Sequence, residues 1–71
     1  MSEESVYKFI ELVGVSGKSW EHAMQNAIQK ASESLRDLRI AEVIRQDARL
    51  DGNKIIEYRV RIKLSFKYEK E

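Results

Sequence analysis

From Ile56 to Tyr68 every even-numbered residue is apolar, while Glu57, Arg59, Arg61, Lys63, Ser65 and Lys67 fill the odd positions. Successive side chains of a β-strand point to opposite faces, so this stretch predicts a ribbon with one greasy face and one cationic face, spanning about residues 54–67. The segment before it, "RIAEVIRQDARL", is branched and alternating as well and predicts a strand over about 39–50. The intervening "DGN" is a hairpin signal. Near the start, "VYKFIELV" predicts a strand over about 6–13, with Gly14 marking the turn after it. Between these regions Trp20, Ala23, Met24, Ala27, Ile28, Ala31 and Leu35 recur at i, i+3, i+4 spacing, which predicts a helix over about 19–35. Ser19 stands at its N-cap position and Glu21 suits the positive helix end.

The order is therefore β-α-β-β, an α+β fold with a three-stranded antiparallel sheet against one helix. If Asp51 and Gly52 are the central turn residues, Leu50 faces Asn53 and the remaining cross-strand pairs are set by the same count. Ala41 and Val43 then share the helix-facing side with Val60 and Ile62. Ile40, Glu42 and Ile44 share the far side with Lys63, Arg61 and Arg59, and Glu42 falls opposite Arg61. A single helix covers one side of such a sheet. The far side, with branched residues set among charges, is left for self-association.

Size sharpens that expectation, because 71 residues lie near the lower limit at which one core sustains a fold. There is no cysteine, so disulfides and thiolate metal sites are excluded, and the lone His22 makes no zinc site. A net charge of +1 gives no overall field for nucleic acid or an anionic membrane. No apolar run approaches a membrane span, and the acidic start "MSEESVYK" lacks the features of a signal peptide, so a cytoplasmic protein is expected.

The β-α-β-β order, the opening "VYKFIELVGVS", the helix start "SWEHAMQNAI", the segment "LRIAEVIRQD" and the last strand "EYRVRIKLSF" together resemble the dodecins over about Val6 to Phe66. The combination carries the resemblance; no one motif does. It implies a hollow homododecamer whose sheets wrap around their helices, with chambers between subunits that hold flavins such as riboflavin or FMN. It also implies ligand sequestration or storage, not catalysis. In flavin-binding dodecins a tryptophan in a "W-A-E-V" segment stacks on the isoalloxazine ring, and Ile40 stands at that position here. A glutamine in "Y-Q" bonds the flavin's pyrimidine edge, and Arg59 stands there. Ile40 offers no aromatic stacking, and Arg59 has donors but no acceptor. The resemblance thus implies weakened or lost flavin binding at these positions.

Glu42, Ile44, Arg61 and Lys63 are the other candidates to line a chamber or an interface. Glu42, Asp47 and Asp51, with Asn53, offer oxygens for a hard cation such as calcium, although their spacing is not a calcium-loop pattern. The cationic face invites an anion or the acidic residues of another copy, and lacks the aromatic platform of a nucleic-acid binder. Trp20, on the helix, is expected to pack in the core or between subunits, and His22 to be an ordinary exposed residue. No nucleophile with a base, glycine-rich phosphate cradle or carboxylate pair marks an enzyme. The expected partners are other copies of the chain and a small molecule. An assembly serving only structure or ion storage is the alternative.

Overall fold

The computed structural model describes residues 6–67; residues 1–5 of the acidic start, and Tyr68 at the end of the alternating stretch, lie outside them. The elements are β1 (Tyr7–Ser16), α1 (Trp20–Ser32), β2 (Leu38–Asp51) and β3 (Lys54–Lys67), in the expected β-α-β-β order. They form one antiparallel sheet with strand order β1-β3-β2. The regularly alternating strand, β3, is central, which accords with its even face being the most completely buried: Val60, Ile62 and Leu64 are at most 2% exposed. No helix among the described residues is long and apolar enough to cross a membrane.

The helix opens on Ser19, whose hydroxyl accepts from the His22 N–H at 3.0 Å, so the N-cap is as the sequence predicts. It buries Ala23, Ala27 and Ala31, a stripe of small residues that lets the helix axis approach the sheet. Gly14 completes this approach. The sequence reads Gly14 as a turn, but β1 continues through it to Ser16, with Val60 as its neighbour on β3. The glycine is there because α1 crosses β1 at this point: a Cβ on Gly14 would overlap the carbonyl oxygen of Ala23 and lie 2.9 Å from its carbonyl carbon and 3.1 Å from Ala27 Cβ. The chain leaves the strand after Ser16, at the exposed Gly17.

The hairpin register also departs from expectation. Asp51 pairs with Lys54, so Gly52 and Asn53 are the central turn residues in place of Asp51 and Gly52. Gly52 has φ +65° and Asn53 is not in the positive region, which is the φ pattern of a type II′ turn with glycine first. Glu42 accordingly faces Lys63, not Arg61. Moving the register by two residues preserves the faces, so Ala41 and Val43 still join the helix side opposite Leu64 and Ile62. Beyond Val43, however, Ile44 forms a β-bulge, and Arg45 becomes the partner of Arg61. One extra residue shifts the later residues of β2 to the opposite face from the one unbroken alternation assigns them. Ile44 is therefore not opposite Arg59; Asp47 is. A second irregularity leaves Ile56 as the extra residue on β3.

Ile44 and Ile56 belong to doubled apolar pairs in the sequence, Val43–Ile44 and Ile55–Ile56, where strict alternation fails; a third register shift, at Arg39 between Leu38 and Ile40, has no such signal.

A 13-residue helix spans ~20 Å, whereas a 14-residue strand extends ~48 Å. The β2–β3 hairpin accordingly runs well past its cover, and α1 packs on β1 and β3 with little contact to β2. The radius of gyration is 14.9 Å, against ~11 Å for a compact domain of this length. Leu50, Ile55 and Ile56 stand exposed on this projecting arm. Apolar surface on an arm without its own core is the kind that marks an interaction surface.

Candidate functional site

The strand pairings place Phe9, Glu11, Val13 and Val15 of β1, Arg59, Arg61, Lys63 and Ser65 of β3, and Ile40 and Glu42 of β2 on the sheet face away from the helix. The bulge at Ile44 then brings Arg45, Asp47 and Arg49 to the same face, opposite Arg61, Arg59 and Glu57. Without it, residue 44 would oppose Arg61 and this end of the face would carry Ile44, Gln46 and Ala48 from β2, with no charge among them.

Asp47 and Arg59 form a two-pronged ion pair: Arg59 Nε donates to Asp47 Oδ1 at 2.7 Å and Nη2 to Oδ2 at 2.9 Å. Such parallel donation fixes the guanidinium plane as well as its position. The hydrogen bond from Arg59 holds the Asp47 carboxyl below its ordinary value, with the charges of Arg59, Arg45 and Arg61 acting in the same direction. Arg59 is in turn pushed up, chiefly by its hydrogen bond with Asp47. The backbone of Asp47 is anchored from the other side of the sheet, since Trp20 Nε1 donates to its carbonyl oxygen at 3.0 Å. Trp20 also meets Tyr58 edge-to-face at 4.9 Å. The tryptophan thus braces the hairpin against the helix while remaining 37% exposed. Further along, Arg49 Nε donates to Glu57 Oε1 at 2.8 Å.

Ile40 and Arg59 share this face but are not neighbours within one chain. Ile40 pairs with Ser65, six residues along β3 from Arg59, a separation of ~20 Å. Ile40 is 61% exposed. Lys63 lies between Glu11 and Glu42 on the flanking strands, and its Nζ sits 4.5 Å above the Phe9 ring. Arg61 has Val13 on one side and Arg45 on the other. Ile44 occupies the bulge.

Of the calcium candidates, Asp47 is held by Arg59, Glu42 lies by Lys63, and Asp51 closes the hairpin beside Asn53. Among the described residues no three carboxylate or imidazole groups converge to hold a metal. His22, expected to be simply exposed, is half-buried, with Nδ1 2.7 Å from the hydroxyl of Ser16, which also accepts from the Lys18 N–H. Sequence reasoning set Arg45 near the cationic face but missed that it faces Arg61 and that Asp47 pairs with Arg59, because it ran the alternation straight through the bulge; the doubled Val43–Ile44 was the available signal.

A family model for the dodecins matches residues 6–69. The chain belongs to the dodecin family. The calcium dodecin of Mycobacterium tuberculosis is 46% identical over 63 residues, which make up 89% of each chain. The crystal structure of that protein, described as a calcium-chelating antigen with a calcium-binding site, gives a TM-score of 0.80 at 43% identity, covering 94% of this chain and 96% of that one. The Streptomyces coelicolor dodecin superimposes with a TM-score of 0.92 at 28% identity, over 99% of this chain and all of the other. An arginine-to-alanine variant of the Thermus thermophilus dodecin gives 0.91 at 34% identity, over 96% and 100%. The match to dodecins thus extends across both strands of the projecting hairpin and the face that carries Ile40 and Arg59.

Proposed function

We propose that this dodecin is a non-enzymatic hollow assembly that sequesters a small ligand between copies on the face away from the helix, and that flavin binding there is weak or absent. The observation that carries the reading is the state of Arg59. At the position where flavin-binding dodecins present an amide, this chain has a guanidinium already committed through two hydrogen bonds to Asp47. To reach a flavin, Arg59 would have to give up that pair, and it still could not accept from the ring N–H. Ile40 at the stacking position supplies only apolar contact. Ile40, Glu42, Arg59, Arg61 and Lys63 are the residues assigned to the chamber wall, with Ile44 setting the bulge that positions its far end.

Titration with riboflavin and with FMN, followed by flavin fluorescence, tests the proposal. Little quenching at micromolar protein is the expected result, and strong stoichiometric quenching at submicromolar concentration would sink it.

A second reading, storage of calcium, is favoured by one specific observation: the M. tuberculosis relative, 46% identical, is a calcium dodecin. Because the described carboxylates of one chain do not converge, the ion would be held by oxygens from more than one copy. Calcium analysis of protein purified without chelator, compared with a chelator-washed sample, decides between an ion held in stoichiometric amount and none.

A further inference from the structure

Arg45 and Arg61 are direct partners across β2 and β3. Like charges directly opposed on one sheet face repel each other, and the bulge at Ile44 is what creates this pairing. Among the described residues neither side chain makes a hydrogen bond or ion pair. The carboxylate that shares their cleft, Asp47, accepts from Arg59 through both oxygens. Together with Val13 these residues line a cleft of about 160 Å³. The cleft is open to solvent and has room for a small oxyanion with its waters beside the guanidinium groups. Three arginines against one aspartate leave two positive charges in the lining.

We propose that this cleft is a binding site for a small oxyanion, a phosphate or carboxylate group, held between the guanidinium forks of Arg45 and Arg61. Guanidinium groups offer paired N–H donors that match the spacing of phosphate and carboxylate oxygens. Val13 forms the apolar wall beside Arg61. The Arg59–Asp47 pair closes the far rim; Asp47 attracts Arg45 and Arg61 through space but is hydrogen-bonded to Arg59. The bound anion removes the repulsion that the bulge builds into the sheet. The inference rests on the reading of this face as ligand-binding and names the ligand chemistry for one part of it.

The test uses the full chain in its native assembly, with inorganic phosphate, acetate and chloride compared at constant ionic strength by calorimetry and thermal unfolding. Phosphate or acetate should bind saturably and raise the unfolding temperature where chloride does not; the stronger of the two identifies the natural group as phosphate or carboxylate. Arg45→Gln and Arg61→Gln should each weaken binding about tenfold or more, as expected for loss of a charge-assisted contact. Neither anion differing from chloride, or both variants binding as well as the parent, would overturn the proposal. So would a parent that binds no anion and variants whose assembly mass changes, since the arginines would then meet carboxylates of another copy. A riboflavin titration on a separate, phosphate-free aliquot separates this failure from that of the flavin-deficient reading: tight flavin binding refutes that reading alone, and absence of anion binding in protein that also binds no flavin refutes this proposal alone.

Discussion

Replacing Gly14 with alanine adds a single methyl group, and the surroundings of that methyl define its cost. The new Cβ would overlap the Ala23 carbonyl oxygen, with Ala23 C at 2.9 Å and Ala27 Cβ at 3.1 Å. Two of these three atoms are helix backbone, so no rotamer change relieves the clash and the helix must lift from β1. Overfilling a well-packed core costs ~1–3 kcal/mol and more where backbone is in the way. The entropy gained by constraining the unfolded chain returns ~0.4–1 kcal/mol. Because backbone is in the way here the upper end of that cost, ~3 kcal/mol, applies and the net loss is ~2–2.6 kcal/mol, and in a domain of this size each kcal/mol moves the unfolding midpoint by roughly 4–8 °C. The expected drop is therefore on the order of 10–20 °C. Gly17→Ala is the control, because a Cβ there meets nothing within 4 Å and the change should stay within ~0.5–1 kcal/mol in either direction. Thermal unfolding followed by circular dichroism and Trp20 fluorescence, at one fixed protein concentration because assembly couples to stability, reads both variants. Equal stability of Gly14→Ala and the parent, or equal damage from the two alanines, would refute the claim that close helix approach dictates glycine at position 14.

Three further outcomes are expected. Ile40→Trp combined with Arg59→Gln restores a stacking ring and an amide; at ~1–3 kcal/mol for the two contacts, riboflavin affinity should rise about tenfold to a hundredfold in a fluorescence titration. Ile62→Ala, at a site fully buried under the helix, should cost ~2–5 kcal/mol by denaturant unfolding. For the Asp47–Arg59 pair the sign comes from an aspartate whose folded pKa is depressed: its contribution is present above the ordinary value of 3.8 and is lost as pH falls through the lower folded value. The Arg59 Nε–H signal followed by NMR should accordingly keep its bonded shift throughout the neutral and mildly acidic range and lose it only below pH 3.8; loss near neutrality would contradict the assignment.

Much of the architecture was legible in the sequence because the signals were local. The alternation from Ile56 onward marks the central strand, and the alanine stripe with Ser19 marks the helix and its start. What local signals could not supply was the third dimension. Gly14 carries the same letter whether it turns the chain or admits a helix, and only the crossing of α1 over β1 distinguishes the two. The hairpin could be closed on Asp51–Gly52 or on Gly52–Asn53; moving by two preserved the faces but changed every partner. The bulge mattered more for the candidate site, since it decides that Asp47 and Arg45, and not Ile44 and Gln46, face outward beside Arg59 and Arg61. The resemblance pointed to positions 40 and 59, yet nothing in a linear reading indicated that Asp47 clamps the second of them.

Native mass spectrometry of freshly purified protein, with nothing added, tests the central claim most directly because it reports subunit number and retained ligand together. The account predicts a dodecamer that carries no stoichiometric flavin. A dodecamer holding flavin in fixed ratio, or a particle no larger than a dimer, would contradict it.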